Sequence, residues 1–96
     1  MNLRLILKKY KIKYSRPSIK HLKLLKSAGL LNKCQQLISM IKLNPFINPP
    51  PYEKLVGYEK VYSRRINIKH RLVYKLGEDT IYILSLWTHY ECMCGD

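Results

Sequence analysis

Lys9-Tyr10-Lys11-Ile12-Lys13-Tyr14 alternates polar and apolar residues without a break. That two-residue period belongs to a strand with one face buried, so Tyr10, Ile12 and Tyr14 are expected to face a core and the lysines to face water. Ser15 can then cap a helix, and Pro17 fits its first turn, where an amide hydrogen would have no intrahelical partner. The period lengthens after this point. Ile19, Leu22, Leu25 and Ala28 fall on one helical face and Lys20, Lys23 and Lys26 on another. Gly29 suits the end of that helix. A second helix reads from Leu30 to about Leu43, with Leu30, Cys34, Leu37, Ile38 and Ile41 on one stripe, and Asn44-Pro45 stops it. The tight junction predicts a helical hairpin lying on a sheet.

Phe46 to Tyr52 contains Pro49-Pro50-Pro51, which reads as a stiff, extended crossing segment with few donors for a sheet. Three strands are expected beyond it, roughly Val61–Ile66, His70–Leu76 and Thr80–Trp87, joined by turns at Asn67-Ile68-Lys69 and Gly77-Glu78-Asp79. The order is strand, two-helix hairpin, then a three-stranded antiparallel meander, which makes an α+β domain. The domain is expected over residues 9–91, after a basic leader at 1–8 and before a tail at 92–96.

Composition narrows the class of partner. The 96 residues hold 18 Lys and Arg against six Asp and Glu, a net charge of +12, with 47% hydrophobic residues. That is enough apolar material for one packed domain, and a charge that speaks of nucleic acid, an acidic protein or an anionic surface. The charge is uneven. No acid precedes Glu53, while eleven Lys and Arg lie between Arg4 and Lys42. The first half reads as an electrostatic footprint, and the nearly neutral second half has room for more particular chemistry. Three cysteines, Cys34, Cys92 and Cys94, make neither a complete disulfide framework nor a four-ligand zinc set. Cys34 is expected as a small apolar core residue. Arg4 interrupts the apolar run at the start, and nothing approaches the ~20 apolar residues of a membrane span. A cytoplasmic protein is expected.

The candidates for chemistry gather in the second half: Glu53 after the prolines, Ser63-Arg64-Arg65 in one strand, His70-Arg71 opening the next, and His89-Tyr90 after the last. Arg65 and Arg71 flank a short hairpin turn and can meet in space. Attack of an RNA 2′-hydroxyl on its phosphate needs a base, cations for the crowded phosphorane, and an acid for the departing 5′-oxygen. One carboxylate, two arginines and one histidine suffice, with no metal and no cofactor. Pattern alone leaves plainer readings open for each residue: a solvated carboxylate, an exposed arginine face, a packing histidine. His21, in a lysine-rich helix, is expected at the surface. His70 shares its parity with Leu72 and Tyr74 and is expected to be structural.

Four segments act together. Tyr52-Glu53-Lys54-Leu55, Tyr62-Ser63-Arg64-Arg65-Ile66-Asn67, His70-Arg71-Leu72-Val73-Tyr74 and Trp87-Thr88-His89-Tyr90 resemble, in order and spacing, the signatures of the YoeB/Txe family within the RelE/ParE superfamily. The resemblance runs from about Tyr10 to Glu91. It implies a RelE-like, microbial ribonuclease-type fold and a toxin of a type II toxin–antitoxin system. The implied activity is a metal-independent, ribosome-dependent mRNA endoribonuclease that cuts in the A site and so inhibits translation. The implied partners are a cognate YefM/Axe-like antitoxin, the 70S ribosome, mRNA and a second copy of the chain, with no membrane. By resemblance Glu53 is the general base, Arg65 and Arg71 the phosphate-binding pair, His89 the general acid, and Tyr90 the aromatic that orients RNA. Lys9, Lys11, Lys13, Lys20, Lys23, Lys26, Lys54 and Arg64 are the expected grip on RNA and ribosome. Two alternatives stay in view. A ParE-like toxin with another target would lack the Glu53 and His89 pair. A non-catalytic basic RNA-binding or ribosome-binding domain would need neither.

Overall fold

A computed structural model describes residues 10–87. Seven elements follow in order: β1 (Lys11–Tyr14), α1 (Arg16–Ser27), α2 (Leu31–Leu43), β2 (Tyr52–Lys54), β3 (Val61–Arg65), β4 (Arg71–Leu76) and β5 (Thr80–Ser85). The strands form one five-stranded sheet in the order β1-β5-β4-β3-β2. β2 to β5 run antiparallel in sequence order, and β1 adds parallel to β5 at the far edge. The α+β class and the meander are as expected. β2 is an addition. The prolines remove donors only at their own positions, so the amides of Tyr52 to Lys54 are free to pair with β3.

Local chemistry explains the helix ends. The Ser15 side chain accepts from the Ser18 amide at 3.2 Å, and the Ser18 hydroxyl donates back to the Ser15 carbonyl at 2.7 Å. Ser15 Oγ also donates to Leu84 O at 3.0 Å, which ties the cap to a register shift opposite β4. α1 gives way at Ala28, and Gly29 follows with φ +75°, a left-handed geometry in which a Cβ is strained. α2 stops at Asn44. Its stripe is buried as predicted except at Leu30, which precedes the helix and is half-buried: Cys34, Leu37, Ile38 and Ile41 join Leu25, Ile66, Leu72, Tyr74, Ile81, Ile83 and Leu86 in the core. Burial pushes the Cys34 thiol up to about 11, which leaves it an inert apolar filler.

Two expectations about buried faces change. α1 is rotated from the apolar face read from its sequence. Ser18, His21 and Leu25 are buried and Leu22 packs beside them, whereas Ile19 and Ala28 are exposed. His21, expected at the surface, accepts a hydrogen bond from the Leu86 amide at Nδ1, 3.1 Å away. It supplies the partner of a backbone donor at the end of β5, a need invisible from its own helix. Tyr10, just before β1, and Ile12 on it pack against the core, but Tyr14, at the end of this edge strand, is exposed. His70 is structural as expected. It is buried, stacks on Trp87 at 3.9 Å between centroids and hydrogen-bonds through Nδ1 to the Trp87 carbonyl.

Candidate active site

Paired residues in neighbouring strands point to the same side of a sheet. The pairs Arg64↔Leu72 and Tyr74↔Ile83 therefore define an inner face toward α1 and α2, because Leu72, Tyr74 and Ile83 share a core cluster with both helices. The pairs Arg65↔Arg71 and Glu53↔Ser63 lie on the outer face.

On that outer face Pro51, Tyr52, Glu53, Ser63, Arg65 and Arg71 line a cleft of about 290 Å³. Arg71 Nη1 donates to Glu53 Oε1 at 2.8 Å and to Ser63 Oγ at 3.4 Å. The Arg71 side chain is 15% exposed and Glu53 69% exposed, so a shielded cation faces a carboxylate open to solvent. Arg65 stands opposite Arg71 across the hairpin and is exposed. One carboxylate and two guanidiniums thus converge. The arrangement can bind a phosphodiester through the arginines while the carboxylate takes a proton from a neighbouring hydroxyl. Ser63, a candidate by sequence but assigned no role there, shares the cleft. Its signal was parity, two residues before Arg65 on the same strand.

Arg64 overturns its expected place on the RNA-binding surface. It is 1% exposed and points inward. Its Nη1 donates to Pro50 O at 2.6 Å, Nη2 to Pro45 O at 3.0 Å, and Nε to the Tyr74 hydroxyl at 3.2 Å. The Tyr74 hydroxyl donates in turn to Pro45 O at 2.8 Å. The guanidinium lies 5.0 Å from the Tyr52 ring centre, and Phe46, Tyr52, Tyr62 and Tyr74 pack ring to ring around it. A buried cation is tolerable only when its donors are satisfied, and carbonyls and a π face do that here. Arg64 fastens the crossing segment to the sheet, and that segment delivers Glu53 to the cleft.

The match to a family model decides the kinship. Residues 21–90 match the model for the YoeB-like toxin of bacterial type II toxin–antitoxin systems. The chain belongs to that family. The toxin is 39% identical to Toxin YoeB of Synechocystis over 66 residues, which cover 65% of this chain and 73% of that one. Its fold matches the YoeB/ParE toxin from Agrobacterium tumefaciens with TM-score 0.76 and 26% identity, covering 83% of this chain and 99% of that chain. It also matches Staphylococcus aureus YoeB, solved in a complex with YefM (TM-score 0.72) and as a dimer (0.73), at 30% identity, covering 85% of this chain and 99% of those chains.

The remaining predicted residues divide simply. Lys11 and Lys13 on β1, Lys20, Lys23 and Lys26 on α1, and Lys54 on β2 are all exposed. Lys9, His89 and Tyr90 lie outside the described residues. Among the described residues no group of three or more His, Cys, Asp or Glu side chains gathers as metal ligands, and no helix is long and apolar enough to cross a membrane.

Proposed function

We propose that this toxin is a ribosome-dependent endoribonuclease that cuts mRNA in the decoding site by attack of a 2′-hydroxyl on the adjacent phosphate. The observation that carries the reading is the convergence of Glu53, Arg65 and Arg71 on one cleft. In this mechanism the scissile phosphate takes Arg71 and Arg65 as its ligands. Glu53, released from Arg71, then accepts the 2′-hydroxyl proton. The arginines stabilise the phosphorane, and His89 protonates the departing 5′-oxygen, leaving a cyclic phosphate. Tyr90 orients the RNA by stacking. These steps ask for no metal and no cofactor.

Ribosome dependence is part of this reading. Among the described residues the cleft offers charge to stabilise a transition state but few groups to hold flexible RNA in line for attack. Correct alignment is worth several kcal/mol, about 7–11 at best, and the ribosome can supply it by fixing the mRNA path. Lys11, Lys13, Lys20, Lys23, Lys26 and Lys54 would grip RNA phosphates without reading sequence. Staphylococcus aureus YoeB is solved with YefM and as a dimer. By that kinship a YefM/Axe-like antitoxin masks the basic surface, and two copies of this chain pair.

The test compares purified toxin on naked mRNA and on the same mRNA programmed into ribosomes. Much faster cleavage on ribosomes is expected, with Glu53→Gln slower by about a hundredfold or more. Equal rates on both substrates would recast the toxin as a general ribonuclease, and wild-type rates in folded Glu53→Gln would remove that residue from the mechanism.

A further inference from the structure

The outer face of the sheet continues beyond the cleft. Along β4, Arg71, Val73 and Lys75 share one side, with Val73 fully buried between the two cations, and Lys75 lies four residues, about 13 Å, from Arg71. Tyr82 is its cross-strand partner on β5, and Lys13 is the partner of Tyr82 on β1. Together these three side chains put an aromatic ring between two ammonium-bearing strands. A groove of about 550 Å³ opens there, lined by Lys13, Tyr14, Ser15, Lys75, Tyr82 and Leu84.

Three features make this more than a solvated strand face. Among the described residues no acidic side chain lines the groove; Glu78 and Asp79 sit in the β4–β5 turn instead. Tyr82 is 41% exposed, although a large apolar ring gains by burial. The ring also has a fixed seat. Its Cε2 lies where a Cβ on Gly77 would approach within 3.1 Å, and the same Cβ would meet the Thr80 carbonyl oxygen at 3.0 Å, so the glycine leaves space for the ring. A seated, solvent-facing ring between two cations matches an unpaired base with phosphates on either side.

We propose that this groove is a second RNA subsite, in which Tyr82 stacks on an unpaired base and Lys13 and Lys75 hold flanking phosphates, a few nucleotides from the scissile bond. Its position relative to that bond rests on the endoribonuclease reading of the cleft. Its occupant is single-stranded RNA, because the groove has the complementary charge and shares a sheet face with the cleft. A duplex would keep its bases stacked on one another and gain nothing from Tyr82.

The test uses the full chain and fluorescein-labelled 2′-O-methyl oligonucleotides, which carry no attacking hydroxyl and so report binding alone. A dinucleotide, with one internucleotide phosphate, is too short to occupy cleft and groove together, whereas an octanucleotide spans both. Tyr82→Ala is expected to weaken octanucleotide binding about tenfold and to leave the dinucleotide unchanged. Tyr82→Phe, which keeps the π face, is expected to restore it. Lys75→Gln is expected to reduce the slope of log affinity against log salt by about one. Wild-type octanucleotide affinity in Tyr82→Ala would overturn the proposal, and so would an equal loss for both lengths, which would mean a disturbed fold. Unchanged RNA affinity with lost antitoxin binding would also overturn it and give the groove to the protein partner. The two readings fail separately: full cleavage by folded Glu53→Gln would remove the mechanism while leaving the subsite, and wild-type octanucleotide affinity in Tyr82→Ala would remove the subsite while leaving the mechanism.

Discussion

Arg64 and Arg65 are neighbours in β3 with the same side chain, yet the sheet gives them opposite surroundings. Arg64 faces the helices, has almost no contact with water, and spends its donors on two proline-segment carbonyls and a tyrosine hydroxyl. Arg65 faces outward, beside Arg71 and the open cleft. Among the described residues no buried side-chain polar atom lacks a partner, so the buried guanidinium of Arg64 is part of the framework. The outer face is buried at Val61, Ser63, Val73 and Ser85, and its exposed cations, Arg65 and Lys75, keep room for a ligand. A strand that alternates faces lets one Arg-Arg pair do both tasks without a longer loop.

The largest effect on stability is expected from Arg64→Ala. It removes three hydrogen bonds, strands the Pro50 carbonyl in a partly buried site and empties the volume beneath Tyr52. A loss of about 3 kcal/mol is expected by chemical denaturation. Arg65→Ala, one residue on, should change stability by no more than about 0.5 kcal/mol while abolishing most of the cleavage. If the two variants unfold alike, the division between faces is wrong. Arg64→Lys sharpens the point. An ammonium cannot span both carbonyls and the tyrosine with a planar fork, so it should recover only part of the loss.

A middle-sized effect belongs to His21. Burial lowers its pKa, and its Nδ1 must stay unprotonated to accept from the Leu86 amide. A histidine whose folded pKa lies below its unfolded value makes the folded state bind fewer protons. Its contribution is present in full above the unfolded value, about 6.5, and is lost as pH falls through the folded one. The thermal stability of the wild type should thus fall as pH drops below about 6.5. His21→Leu should flatten this part of the profile and cost about 1–3 kcal/mol at neutral pH by orphaning the Leu86 amide. An undiminished slope in the variant would assign it to another group.

These residues also mark how far the sequence could be read. The stripe on α2 and the capped start of α1 were legible because each depends on residues a few positions apart. The meeting of Arg65 and Arg71 was legible from the short turn between them. The burial of Arg64 followed from the same pairing, since it stands opposite Leu72, but a doublet of arginines in a basic chain reads first as surface. His21 was not legible, because its partner is 65 residues away and is a backbone amide with no sequence signature. β2 was missed for a related reason. Its three residues pair only because β3 offers an edge, and the prolines before it mask the signal.

A small effect on stability is also expected at Glu53, the proposed general base. Glu53 makes a 2.8 Å ion pair with Arg71, and geometry alone suggests a stabilising bridge. Its side chain is mostly in water, however, where solvent screens the attraction and the ordering of two side chains offsets much of it. Arg71 has Ser63 as a second acceptor, so removing the carboxylate does not leave the guanidinium alone. Glu53→Gln should therefore shift unfolding by less than about 1 kcal/mol, and by still less at high salt. The amide keeps a carbonyl oxygen for Arg71 but cannot take the 2′-hydroxyl proton. A stable variant with lost cleavage would show that the pair is a resting arrangement of the outer face, opened when phosphate replaces carboxylate on Arg71. Destabilisation comparable to Arg64→Ala would show instead that Glu53 belongs, like Arg64, to the framework.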